Sequence, residues 1–141
     1  MIKKGVSLLL LATIFVLSFS GMTHAATSDK FSLRPTAVGD GGAVRVYLYE
    51  GATRLGITVN QSGIHAGQKA STYWEVYHPN TGKVEHRQSI PGDFYGAFLF
   101  EDLKNPGGIY DVTWESMTDN DTQGWWQITT PSSTSKFYEM P

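Results

Sequence analysis

The stretch GGIYDVTWESM, residues 107–117, alternates along most of its length. Tyr110, Val112 and Trp114 fall on one side, and Asp111, Thr113 and Glu115 on the other. A period of two is the mark of a strand with one face in a core and one in water. The rhythm recurs down the chain. Val44, Val46 and Leu48 alternate with Arg45, Tyr47 and Tyr49, and Leu55, Ile57 and Val59 share a side after the turn Glu50-Gly51-Ala52-Thr53. Trp74 and Val76 pair off in KASTYWEVYH (69–78), Phe94, Phe98 and Phe100 in PGDFYGAFLFEDL (91–103), and Trp126 with Ile128 in GWWQITT (124–130). Nothing beyond residue 25 carries a 3.6-residue apolar stripe. Seven to eight short strands parted by Gly, Pro, Asn and Asp turns predict an all-β fold, a single antiparallel sandwich. Residues 136–140 would form a last edge strand or a tail.

The tight link PNTGK (79–83) predicts a hairpin, because Pro79 presets a turn dihedral and Gly82 can take the left-handed conformation. Its register is open. A loop of residues 80–82 sets Glu75 opposite Arg87 and Val76 opposite His86, whereas a loop of residues 79–82 sets Glu75 opposite His86. A slip of one residue exchanges the faces of the returning strand.

The chain starts with Lys3 and Lys4, an apolar run from Gly5 to Ser20, and Thr23 and Ala25 at the spacing a signal peptidase reads. Residues 1–25 are therefore expected to be a cleaved signal peptide and residues 26–141 one secreted domain. No cysteine follows the apolar run to carry a lipid, and no later segment is apolar enough to span a bilayer, so no membrane association is expected after cleavage. The signal and the cysteine-free chain suit a Gram-positive bacterium exporting to the medium or the cell wall. Loss of Lys3 and Lys4 takes the net charge from −2 to −4. An acidic chain without a basic run lacks the charge that binds phosphate, so no nucleic-acid partner is expected. With no disulfide, stability must come from the core, and all four tryptophans and all seven tyrosines lie beyond residue 25.

The segment FEDLKNPGGIYDVTW (100–114) has a leucine, a short loop, a glycine and a tyrosine opening a strand. It resembles the E–F corner of immunoglobulin-like and fibronectin-like sandwiches, with Leu103, Gly108 and Tyr110 in the matching places. Trp74 is similarly placed to the core tryptophan of their strand C, and Val112 stands where antibody domains have a cysteine. The resemblance implies an immunoglobulin-like sandwich with a buried phenol at Tyr110; alternation alone adds Trp114 and Trp126 to the expected core. The chain also resembles small secreted Gram-positive domains of unknown function, which implies no activity.

Candidate sites follow from the strand faces. Asp119, Asp121, Gln123 and Gly124 copy the first half of an EF-hand loop, but its twelfth position is Thr130 and its flanks read as strands. No metal or other cofactor is expected, Asp119 and Asp121 being candidates only for a looser calcium site between loops. His65, His78 and His86 have no metal-ligand spacing. A hydrolase finds no G-x-S-x-G elbow and no cysteine; Ser89 and Asp93 read as turn residues, and Glu75, Glu85, Glu101 and Glu115 as outward carboxylates. No catalytic residue is assigned. The outward rings are Tyr47, Tyr49, Tyr73, Tyr77 and Trp125, beside Arg45, Asp111 and Gln127. Such rings serve cross-strand packing, a protein interface, or stacking on sugars. The expectation is a non-catalytic extracellular protein that binds a protein partner through this aromatic face or an edge strand. The alternative is a cell-wall or polysaccharide-binding module, and a small extracellular hydrolase is the third choice.

Overall fold

A computed structural model describes residues 25–48, 52–104 and 108–141. Residues 1–24, where a signal peptide was expected, and Tyr49, an expected binding ring, lie outside the described residues. Among the described residues there are ten strands: β1 (Ala26–Thr27), β2 (Phe31–Ser32), β3 (Gly41–Tyr47), β4 (Leu55–Gly63), β5 (Ser71–His78), β6 (Lys83–Pro91), β7 (Phe94–Phe100), β8 (Ile109–Ser116), β9 (Thr122–Thr130) and β10 (Lys136–Met140). One sheet runs β1-β9-β4-β7, with β2 also on β9, and the other runs β10-β3-β8-β5-β6. Every pairing is antiparallel.

The order of the pairs shows how the chain wraps. β5 pairs with β6, β4 with β7, β3 with β8, and β1 and β2 with β9, a nested hairpin with residues 79–82 at its tip. Rolling that hairpin adds the contacts β4–β9 and β5–β8. This is jelly-roll connectivity. The all-β antiparallel sandwich is as expected, but its strand order is not the A-B-E-D and C-F-G arrangement of immunoglobulin domains. Alternation reports which face is buried and a corner motif reports one bend; neither says which strands are neighbours, so different sandwiches share both signals.

The faces fall as the two-residue period predicts. Val44, Val46, Leu48, Leu55, Ile57, Val59, Val76, Val112 and Ile128 are buried. Trp74 sits at the centre, its ring 5.1 Å from Trp126 and 6.1 Å from both Trp114 and Phe98. Each large apolar side chain taken from water contributes about 1.5–3 kcal/mol, and among the described residues the two inner faces form one continuous cluster. The segment from β7 to β8 crosses between the sheets. Its Leu103 is buried and donates to Thr53 O (2.8 Å), Gly108 O accepts from Leu48 N (3.2 Å), and the buried Tyr110 ring meets His78 edge-on at 5.5 Å.

The hairpin settles its register by using both alternatives. The loop is residues 79–82, yet Glu75 faces Arg87 and Val76 faces His86. An irregularity between Val76 and Tyr77 absorbs the extra residue, so Tyr77 faces Val84 and His78 faces Lys83. Gly82 takes φ +73°, the conformation its place in the turn requires.

One buried polar chain ties the two sheets. Trp74 Nε1 donates to Thr72 Oγ1 (2.7 Å), and Thr72 Oγ1 donates to Gln61 Oε1 (2.6 Å). Gln61 Nε2 then donates to Ile90 O (3.1 Å) and Gly92 O (2.7 Å). Each polar group in the chain has a partner, the condition under which a buried network stabilises rather than weakens a core.

Candidate functional site

The antiparallel ladders fix what stands beside what on the outer face of the β10-β3-β8-β5-β6 sheet. Across one row run Gly41, Glu115, Tyr73 and Ser89; across the next Met140, Ala43, Thr113, Glu75 and Arg87; across a third Tyr138, Arg45, Asp111 and Tyr77. Small residues on β3 leave the first two rows hollow. A cleft of about 490 Å³ forms there, with Gly41, Gly42 and Ala43 as its floor and Tyr73, Glu75 and Glu115 beside it. No side chain could replace the hydrogen of Gly41 without movement, since a Cβ there would stand 2.1 Å from Trp114 O.

The electrostatics differ from row to row. Arg45 Nε meets Asp111 Oδ1 at 2.8 Å and Arg45 Nη2 meets Oδ2 at 3.1 Å, a two-pronged pair whose carboxylate is only 8 % exposed. That hydrogen bond, with the charge of Asp111, raises the Arg45 pKa above its ordinary value. Arg45 is therefore neutralised by its neighbour. Arg87 Nε lies 3.7 Å from Glu75 Oε1. The Tyr73 phenol is pushed up, first by desolvation on the sheet and then by its hydrogen bond to Glu75. Glu115, directly across from Tyr73, is exposed and has no hydrogen bond or ion pair among the described residues.

The expected rings divide between two surfaces. Tyr47, Tyr73 and Tyr77 share the outer face just described, where Tyr47 meets Tyr138 edge-on at 5.4 Å. Trp125 lies on the opposite sheet, edge-on to Tyr95 at 5.9 Å, with Lys30 Nζ 4.2 Å from its ring centre. No single surface unites the tyrosines with Trp125. Trp74, Leu103, Tyr110, Trp114 and Trp126 are buried in the core. The hollow was not anticipated. Its signal was the run of three smallest residues, Gly41-Gly42-Ala43, opening a strand whose later outward positions carry Arg45 and Tyr47.

The acidic loop braces the sandwich end. Asp119 Oδ1 accepts from Val38 N at 3.0 Å, and Asp121 Oδ2 meets His65 Nε2 at 2.8 Å. Among the described residues no three His, Asp or Glu side chains gather as a metal site. His78 is buried against Tyr110, and the half-buried His86 stacks on Phe100 at 5.4 Å. Asp93 Oδ1 accepts from Gly63 N (2.9 Å) and Ala70 N (3.1 Å), which lowers its pKa, the Ala70 bond foremost. It joins the β4–β5 loop to the β6–β7 turn. Among the described residues no helix is long and apolar enough to cross a membrane.

No protein-family model matches the sequence, and no curated protein sequence does. Solved structures do resemble it. The carbohydrate-binding module Xyl-CBM35, in complex with a glucuronic acid-containing disaccharide, aligns at TM-score 0.53 and 10% identity, over 85% of this chain and 86% of that one. The Yersinia pseudotuberculosis-derived mitogen aligns at TM-score 0.49 and 12% identity, over 76% and 85%. A CBM36 module with calcium and xylotriose aligns at TM-score 0.42 and 11% identity, over 72% and 90%. At these identities the likeness is one of fold, the β-sandwich.

Proposed function

We propose that the protein is an exported, non-catalytic binding domain that holds a glycan chain in the cleft over Gly41, Gly42 and Ala43. The carrying observation is that hollow, about 490 Å³, on the outer sheet face, with a tyrosine and two carboxylates beside it. A sugar offers apolar C–H faces to a ring and hydroxyls to carboxylates, so Tyr73 would take the first and Glu75, Glu115 and Thr113 the second. The sandwich shared with Xyl-CBM35 supports this choice of ligand class over a protein partner. Export rests on residues 1–25.

Pull-down on insoluble cell wall, chitin, xylan and cellulose tests it, with Ala43→Phe and Tyr73→Ala beside the wild type. Both side chains face outward, and phenylalanine suits a strand, so both variants should fold. Retention on at least one polysaccharide, lost in Ala43→Phe, is expected. A wild type that is retained on none ends the glycan assignment; an Ala43→Phe variant that binds equally well moves the site elsewhere. A protein partner is the second reading, favoured by Tyr47 and Tyr138, which stand 37% and 52% exposed beside one another at the β10 edge.

A further inference from the structure

The two sheets differ in charge. Strands β4, β7 and β9 contain no Asp, Glu, Lys, Arg or His at any position, whereas β3, β5, β6, β8 and β10 each carry at least one. No described strand packs across the outer face of the uncharged three. The ladders set Ser32, Trp125, Asn60 and Tyr95 in one row of that face, with Gln127 and Thr58 in the next. Positions two strands apart stand about 9–10 Å from each other. The Trp125 and Tyr95 ring centres are only 5.9 Å apart, at 74°, so the two rings lean together over Asn60. The half-buried Asn60 amide and Thr58 hydroxyl make no side-chain hydrogen bond among the described residues. Lys30, from the link between β1 and β2, rests its ammonium 4.2 Å from the Trp125 ring centre. Its side chain is long and flexible, and such a contact at an exposed site is weak enough for a ligand to displace.

We infer that the outer face of β4, β7 and β9 is a second binding site, for an uncharged glycan chain laid against Trp125 and Tyr95. It lies on the sheet opposite the Gly41 cleft and does not depend on that cleft. The rings take the apolar C–H faces of sugars, and the Asn60 amide and Thr58 hydroxyl bond their hydroxyls. A charged ligand would be stripped of water there with no opposite charge on the strands to offset the cost. A protein partner is the poorer fit, because protein interfaces centre on large apolar side chains and are depleted in serine. Tyr95, 39% exposed, is the most exposed large apolar side chain of these strands, and the positions around it are mainly amides and hydroxyls.

Tryptophan fluorescence reads this face selectively, because Trp74, Trp114 and Trp126 are buried and Trp125 is half-buried. Acrylamide quenching is measured on the wild type and on Ala43→Phe, whose cleft is filled. The probes are cellohexaose, xylohexaose, N-acetylglucosamine hexamer and hexagalacturonic acid. At least one neutral hexamer is expected to shield the emission, at the same concentration in both proteins. Tyr95→Ala and Asn60→Ala keep all four tryptophans and should weaken that binding with unchanged circular dichroism, by about 10-fold for the ring and about 3- to 10-fold for the amide. Shielding by no neutral hexamer overturns the inference, and the cleft assignment then stands if polysaccharide retention is still lost in Ala43→Phe. Shielding that vanishes in Ala43→Phe overturns it as well, since the cleft would be the glycan site for both. Equal shielding by hexagalacturonic acid, or no loss in either Tyr95→Ala or Asn60→Ala, also overturns it. Shielding that survives in Ala43→Phe, with retention on polysaccharide unchanged there, supports this face and removes the cleft.

Discussion

Replacing Thr72 by valine keeps the side chain's shape and deletes one hydroxyl from the chain that joins the sheets. That oxygen accepts from Trp74 Nε1 at 2.7 Å and donates to Gln61 Oε1 at 2.6 Å, and all three residues are almost wholly buried. The change therefore orphans an indole N–H and an amide oxygen together. Each buried group without a partner costs about 1–3 kcal/mol, and a methyl in place of the hydroxyl returns a fraction of this. A net loss of about 2–4 kcal/mol is expected, large against a total stability of about 5–15 kcal/mol yet small enough to leave a folded protein. Urea unfolding followed by tryptophan fluorescence measures it directly, because Trp74 reports from the site. Thr72→Ser is the control: it keeps the hydroxyl, removes a methyl, and should lose about 1 kcal/mol. Thr72→Val combined with Gln61→Leu should cost less than the two single changes added together, since Gln61 Oε1 is then no longer there to be stranded and only the Trp74 indole N–H loses its partner. A Thr72→Val variant no less stable than Thr72→Ser, or strict additivity in the double variant, would refute the claim that this hydroxyl couples the sheets.

Gly41→Ala should lower stability by about 1–3 kcal/mol through crowding, since the new Cβ would stand 2.1 Å from Trp114 O; an unchanged melting temperature would contradict the close approach. Arg45→Gln leaves the Asp111 carboxylate, 8% exposed, without its two-pronged partner. A loss of about 1–3 kcal/mol at neutral pH is expected, reduced from a fully buried pair because Arg45 is itself partly exposed, and chemical denaturation measures it. Asp93 has a folded-state pKa below the ordinary 3.8. Its contribution to stability is thus complete above that value and is lost as pH falls through the lower one. The gap in urea midpoint between wild type and Asp93→Asn should be widest above pH 4 and close on further acidification; a gap that widens would reverse the sign.

Much of the interior was legible residue by residue. Tyr110, Val112 and Trp114 carried their inward side in plain alternation, as did Trp74 and Val76, because a pleated strand turns every second side chain to the same face. Leu103 and Tyr110 announced a buried bend. The hairpin register was legible only as two alternatives, and the irregularity at Val76/Tyr77 that reconciles them depends on how β6 seats against the opposite sheet, with His86 stacked on Phe100. The outward tyrosines could be named singly but not assembled. Nothing local to Trp125 tells that Lys30 covers it, or that it sits on the far side from Tyr47.

The sequence by itself determined an all-β sandwich and which side of most strands is apolar, since both depend on neighbours one or two residues apart. Strand order, the split of the aromatic rings between two surfaces, and the hollow above Gly41 were decided only by tertiary structure. They arise where residues such as 41, 73, 115 and 140, far apart along the chain, become adjacent through ladders, and no spacing within one segment encodes that adjacency.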